Sequence, residues 1–298
     1  MSVRLGINPI TWTNDDLPSL GGDTPLATCL KETKQAGYAG TEMGGKFPKT
    51  VPEMERALDP HWLKLVSGWY SARLLERTAA EEIDAMAGHL DLMAGMGCTV
   101  MVFAEGTESN AANRAVPAGM HRKIADGEWS EYARRVTAVG EHMRKRGVRL
   151  AFHHHMGTAV QTGDEIDRLM RETGPAVGLL LDTGHATYAG ADPLKLAERH
   201  AERIVHVHCK DVRRPVLDRA LKEGMSFLDA VLAGVFTVPG DGNVDFPPVL
   251  KLLSARGYAG WLVVEAEQDP AKAHPLTYAR KGFEYLSRAA EAAGFALA

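Results

Sequence analysis

The sequence predicts a single-domain α/β protein, a closed (β/α)₈ TIM barrel, and three observations predict it. Strand-like and helix-like segments alternate from end to end, the strand-like segments number eight, and no glycine-rich GxGxxG turn follows the first of them. Strands too apolar to keep one face wet indicate a parallel sheet covered by helices. Eight units favour closure over an open doubly wound sheet, and the missing GxGxxG removes the main reason to expect a dinucleotide fold. A length of 298 residues also suits one such barrel, which takes roughly 250 residues as one domain.

The strand segments are 3–7, 38–43, 63–68, 99–104, 148–152, 177–181, 204–208 and 261–265. The first helix is expected to start from Asp23 as N-cap, with Pro25 in its first turn and Gly37 as its stop. Over 80–96, Ile83, Met86, Ala87, Leu90, Met93 and Ala94 recur at helical spacing on one face. Over 129–146, Trp129, Tyr132, Val136, Val139 and Met143 do the same, and Gly147 stops the helix. The segment of about 212–243, after the seventh strand, is too long for a βα loop of roughly 2–6 residues. Its apolar spacing over 215–233 predicts one or two helices inserted over the barrel mouth, as a lid or as a subunit contact in a homo-oligomer.

Composition narrows the function classes. A hydrophobic share of 45% supports a sizeable core, and a net charge of −4 without basic runs argues against a nucleic-acid surface. Three cysteines, Cys29, Cys98 and Cys209, show no CxxC spacing, so neither a disulfide framework nor a structural zinc knuckle is expected. Neither a secretory leader nor a stretch of about 20 apolar residues is seen, so a soluble, cytoplasmic enzyme without membrane contact is the expectation.

Polar and metal-binding residues collect at the C-terminal ends of the strand segments: Asn8, Glu42, Trp69, Glu105, His153-His154-His155, Asp182 with His185, His206 with His208, and Glu265 with Glu267. In a TIM barrel those ends meet at one mouth, where chemistry is done. Any one of them alone is an ordinary loop-entry residue; so many together are not required by packing. Asp182 ends a run of three leucines, where an unpaired carboxylate is costly, so a cation beside it is expected. Helix capping is the alternative role for Asp182. It fits less well, because Thr183 and Gly184 intervene before any periodic run. His208 ends its strand in the same way, and Glu265 ends Trp261-Leu-Val-Val. Strand period puts His206 and His208 on one face, His206 as a packed or supporting histidine. Glu267 is expected in solvent or behind the ligands. His153 and His155 share a face, and His154 turns to the helical layer. Oxygen and imidazole donors without thiolate suit Mn²⁺, Co²⁺ or Zn²⁺ better than Ca²⁺.

These motifs resemble those of the xylose-isomerase-like, metal-dependent sugar isomerase and epimerase superfamily: Leu179-Leu-Leu-Asp-Thr-Gly-His185, Val207-His-Cys-Lys-Asp211 and Gly257-Tyr-Ala-Gly-Trp-Leu-Val-Val-Glu265. Within it, six segments resemble the inosose (2-keto-myo-inositol) dehydratase branch. They are 6–12 with 14–18, 21–25, 40–48, 152–157, 226–231 and 234–242. The resemblance implies a hydro-lyase of inositol catabolism that takes a cyclitol ketone, uses a divalent metal, and in some relatives responds to glutathione. It implies metal ligands at Asp182, His208 and Glu265. The fourth position carries Glu in the isomerases and His153 here, so His153, a ligand from another strand, or water completes the set. It implies substrate contacts at Asn8, Trp12, Glu42, Lys46, Trp69, Lys210 and Asp211. Dehydration needs a base for the proton α to the ketone and an acid for the departing β-hydroxyl. His155 is expected as acid, with Glu265 or His185 as base. The alternatives are a keto-sugar or inosose isomerase on the same scaffold, which the missing Glu at position 153 disfavours, an endonuclease-IV-like nuclease, which the charge disfavours, and an inactive binding barrel.

Overall fold

A computed structural model describes residues 1–298. Eight parallel strands close into a barrel: β1 (Ser2–Ile7), β2 (Gly40–Met43), β3 (Lys64–Ala72), β4 (Val100–Glu105), β5 (Arg149–His153), β6 (Val177–Asp182), β7 (Ile204–Cys209) and β8 (Gly260–Val264). Each pairs with the next in sequence, and β8 pairs with β1 in parallel to complete the ring. A two-residue strand, Ala296–Leu297, adds to the start of β1. The predicted strands agree with these to within a few residues. The largest difference is β3, which runs to Ala72 and so carries Trp69 inside a strand rather than at its end.

The barrel is small inside, and its packing explains two glycines. A Cβ on Gly40 would stand 2.7 Å from the Trp261 ring, and one on Gly178 would stand 2.5 Å from Val205. The interior is thus filled from Trp261, Val263 and Val66 on one side and from Val100, Val102, Ala151, Leu180 and Val205 on the other. The main apolar core lies outside the sheet, where Leu150, Phe152, Leu179 and Leu181 meet helices such as Trp129–Lys145. Burying each large apolar side chain there contributes about 1.5–3 kcal/mol. Leu179 pairs with Ile204 but Leu180 pairs with His206, so Val205 is an extra residue in β7. This bulge sets His206 and His208 on the inner face.

The helix ends follow local chemistry. Thr78 and Thr162 each form a reciprocal capping box, with Glu81 and Glu165 respectively. The first helix differs from expectation. It runs Leu26–Ala36 with Pro25 itself at the N-cap and no side-chain cap bond, so Asp23 lies too early to serve. Gly37 ends it at φ 108°, as its sequence position suggested. No helix is long and apolar enough to cross a membrane.

The segment after β7 forms two helices, Arg214–Glu223 and Phe227–Leu232. Two antiparallel residue pairs, Asp211 with Thr237 and Val212 with Phe236, tie its ends. The Asp211 carboxylate gathers the backbone N–H groups of Val212, Gly240, Gly242 and Val244 at 2.8–3.0 Å and fixes the base of the insertion. Leu217, Phe227, Leu228 and Val231 bury themselves against Met156, Ala111 and Ala118 on neighbouring loops. This is a separate apolar cluster above the barrel.

Candidate active site

Four strand ends bring His153, Asp182, His208 and Glu265 together, all buried, with one donor atom from each within 4.8 Å of every other. Asp182 Oδ2 lies 3.4 Å from His153 Nε2 and 3.5 Å from His208 Nδ1. Donors held at about 2.0–2.2 Å around one tetrahedral ion stand about 3.4 Å apart, so this spacing fits a shared cation. His208 Nδ1 and Glu265 Oε2 are 2.8 Å apart, yet neither has a properly directed hydrogen-bond partner. Two buried polar atoms that face one point without bonding each other suit a common ion better than mutual contact. Burial opposes charge on His208, but Glu265 and Glu42 overcome it and hold its pKa well above the ordinary value. The protein environment therefore calls for positive charge at this point.

Asp182 does two jobs. Its Oδ1 accepts from the His185 backbone N–H at 2.7 Å and caps the helix Thr183–Tyr188, which leaves Oδ2 for the cluster. Capping, the role that fitted less well in the sequence, is present together with the ligand geometry. It occurs because the helix begins at once after β6. The His208 ring is oriented from behind. Its Nε2–H donates to Glu42 Oε1 at 3.2 Å, so Nδ1 is the nitrogen turned to the cluster and would give its lone pair to a bound cation in place of a proton. His206 Nε2 reaches the same oxygen at 2.8 Å, and Asn8 Nδ2 donates to Glu42 Oε2 at 2.8 Å. Burial would raise the Glu42 pKa, but His208 and His206 outweigh it and keep the carboxylate well below its usual range. His154 turns from the cluster, and its Nε2 accepts from the Asp182 backbone N–H at 3.3 Å.

A second group stands beside the first. Lys210 is fully buried, and its ammonium donates to Glu267 Oε1 at 2.5 Å and to His185 Nε2 at 2.9 Å, with Glu265 Oε2 at 3.1 Å. The ammonium thus makes two hydrogen bonds, and Glu265 Oε2 stands near it as a counter-charge without a directed bond. Gly184 makes room for this arrangement, because a Cβ there would lie 2.4–2.8 Å from the lysine stem. Burial raises the Glu267 pKa to about 7, against the pull of Lys210, and its Oε2 has no partner in the protein. His155 Nδ1 lies 2.7 Å from the Met156 carbonyl, so that nitrogen carries the proton and Nε2 is bare. Burial lowers the His155 pKa well below the ordinary value, with His153 and Lys210 adding to the effect. The rings of His155 and His185 are 3.9 Å apart, and Phe227 from the insertion lies against both.

These groups open into a cavity of about 430 Å³ lined by Asn8, Trp69, His155, Glu265 and Glu267, with Asp15, Asp16 and Lys49 on the outer part. Trp69 presents its edge to His153 and His155 and is 40% exposed. The structure therefore brings Asn8, Trp69, His155 and Glu265 to the cavity. His153, Asp182, His185, His208 and Lys210 are packed just behind it. Glu42 lies deeper, held by the two histidines. Trp12 is buried elsewhere with its indole N–H on Glu32 at 2.6 Å, and Lys46 caps the carbonyls of Gly22 and Thr24 at 2.6 Å. Asp211 is occupied at the base of the insertion. The sequence reading placed Glu267 in solvent or behind the ligands, whereas it is 1% exposed and lines the cavity. Its parity with Glu265 was the available signal. Asp15 and Asp16, on a loop without strand periodicity, gave none.

Fold and site together define a barrel with buried groups at its mouth that could hold a metal ion, and the chain belongs to the xylose isomerase-like TIM barrel family, whose model matches residues 30–289. It is 55% identical to the rhizopine catabolism protein MocC of Rhizobium meliloti over all of this chain and 91% of that protein. It is 44% identical to the inosose dehydratase of Geobacillus thermodenitrificans over 95% of this chain and 96% of that one. Among solved structures, the IOLI protein with a bound zinc atom superposes with a TM-score of 0.65 at 16% identity, covering 98% of both chains, a likeness of fold.

Proposed function

We propose that the chain is a divalent-metal hydro-lyase that removes one water from 2-keto-myo-inositol (scyllo-inosose) to give a trihydroxycyclohexane-1,2-dione, a step of inositol catabolism. The carrying observation is the full-length 44% identity to an inosose dehydratase. The imidazole and carboxylate that line the cavity beside the four-residue cluster support it.

His153, Asp182, His208 and Glu265 would hold the ion, with Mn²⁺ or Co²⁺ preferred and Zn²⁺ next for an oxygen and imidazole donor set. Once bound, it supplies Lewis acidity toward the ketone and the neighbouring hydroxyl. The proton α to the ketone goes to His155 Nε2, and the β-hydroxyl leaves with a proton from Glu267. The resulting enol then tautomerises to the dione. This exchanges the acid role expected of His155 for that of base, because its Nδ1 proton is committed to Met156 and its bare nitrogen is an acceptor. Lys210 holds Glu267 Oε1 in place and leaves Oε2 for substrate. Trp69 supplies an apolar wall for one face of the cyclitol ring, and Asn8 borders its hydroxyls. The insertion acts as a lid through Phe227. Three buried thiols and no disulfide suit the cytoplasm, and any effect of glutathione would proceed without a mixed disulfide to this chain.

The test is to incubate metal-reconstituted protein with scyllo-inosose and follow product mass and ultraviolet absorbance. Loss of one water with an absorbing enol is expected. A product of unchanged mass would instead show isomerisation and overturn the reading.

A further inference from the structure

Glu105 ends β4, fully buried, and takes no part in the chemistry above. Both its oxygens are taken by backbone. Oε2 accepts the Leu74 N–H at 2.9 Å, from the turn that follows β3, and Oε1 accepts the Thr107 N–H at 3.0 Å, from the loop that follows β4. One carboxylate thus ties together the exits of two neighbouring strands. Next to the tie, Ala72 pairs with Glu105 itself, and the Ala72 carbonyl accepts the Gly106 N–H at 2.7 Å. The tied segments form one wall of the active-site cavity, which Ser71, Gly106, Ser109 and Ala111 line. A Cβ on Gly106 would stand 3.1 Å from that of Ser71. Ser71 Oγ in turn accepts the Trp69 indole N–H at 2.7 Å, and Trp69 presents its edge to His153 and His155.

The tie needs a carboxylate, and a carboxylate there is costly. Only an ionised carboxyl offers an acceptor on each of its two oxygens; an amide would turn its own N–H groups against one of the two donors. No cation offsets the charge. Arg77 pairs with Glu82, Arg122 with Glu108 and Glu128, and Arg135 with Glu131. The titratable groups around Glu105 are Glu82 on the helix after β3, Tyr132 on the helix after β4, and Arg122 on the loop between. Burial raises the Glu105 pKa to about 7 against the pull of its bonds from Thr107 and Leu74, and Glu82 adds to the rise. A group that weakens the fold while tying two segments of the mouth fits a functional need better than a structural one.

We propose that Glu105 is a positioning residue of the active site: its carboxylate fixes the ends of β3 and β4 against each other, so that Ser71, Gly106 and Trp69 form one firm wall for substrate. Its effect on turnover rests on the dehydratase reading; the tie itself does not.

The experiment compares metal-loaded wild type with Glu105→Gln by backbone amide exchange, thermal unfolding and steady-state rates with scyllo-inosose. Exchange at Leu74 or Thr107 should rise about tenfold or more in the variant, because one N–H loses its acceptor. KM should rise about tenfold while kcat changes by about threefold at most, the pattern of a lost binding wall. Stability should not follow. The raised pKa gives Glu105 a contribution that is full below its ordinary value of 4.5 and is lost as pH rises through about 7. At about pH 8.5 the variant, neutral at this position, should therefore melt no lower than wild type, whereas replacing a merely structural residue would lower Tm. A wild type without turnover would sink the dehydratase reading, and amide exchange would then decide the tie by itself. Unchanged exchange at both amides overturns the proposal. So does an unchanged KM in an active variant, or a rise in KM matched by a fall in Tm at that pH.

Discussion

Two rings of side chains at the barrel mouth come from the same four chain segments. The inner ring is His153, Asp182, His208 and Glu265; the outer is His155, His185, Lys210 and Glu267, two or three residues further along each segment. An offset of two relates three of the pairs and the first helical turn after Asp182 supplies His185, yet the rings solve the problem of buried charge differently. The inner ring leaves polar atoms facing one another without hydrogen bonds and calls for a cation from outside. The outer ring encloses a cation of its own, the Lys210 ammonium, hydrogen-bonded to Glu267 and His185. The chain thus has one ring that could hold a metal and one that already contains a cation of its own.

Breaking the inner ring should have the larger effect. Asp182→Asn removes the charge but keeps a cap acceptor, so bound metal should be lost and turnover should fall about 10³-fold or more, with little change in folding. Metal analysis and steady-state rates check this, and a fully metallated, active variant would contradict it. Breaking the outer ring should instead be a matter of stability. Lys210→Met strands Glu267 and Glu265 in the interior and should cost about 3–5 kcal/mol in denaturant unfolding while the inner ring still binds metal. Adding Glu267→Gln should restore part of that loss. A single variant as stable as wild type would show that the ammonium does not balance these carboxylates.

Smaller changes sharpen the contrast. Glu42→Gln weakens the support behind His208, together with the bonds from His206 and Asn8, and should reduce metal affinity about 10–100-fold, measured by competition with a chelator. The smallest effect separates the two roles of one residue. Asp182→Ala should lose metal just as Asp182→Asn does, but should be about 1 kcal/mol less stable, because the cap is lost as well. Equal stabilities would mean that the cap contributes nothing.

The sequence made the inner ring legible because each member ends an apolar strand, where a charge is conspicuous. Fold and strand order were legible for the same reason, through period and apolar runs. The outer ring was only half visible. His155 and His185 stood out, but Glu267 looked solvent-bound, since parity reports a direction and not what closes over it. Closure comes from Phe227 and Phe236 in the insertion, and their contacts are set by tertiary packing. The bulge at Val205 was likewise invisible, because one extra valine in a fully buried strand leaves no mark on composition. The resemblance implies a substrate contact at Glu42, and strand position cannot show that two histidines and an asparagine occupy both its oxygens.

The division of labour within the outer ring, His155 as base and Glu267 as acid, is tested most directly by exchange of the substrate's α-proton. Wild type, His155→Gln and Glu267→Gln, each with its metal content verified, would be held with scyllo-inosose in deuterated water and followed by proton NMR. The account predicts that Glu267→Gln still exchanges the α-proton while water loss falls about 10²–10⁴-fold, and that His155→Gln loses exchange and elimination together. Exchange that continues at the wild-type rate in His155→Gln would contradict it and return that histidine to the acid role.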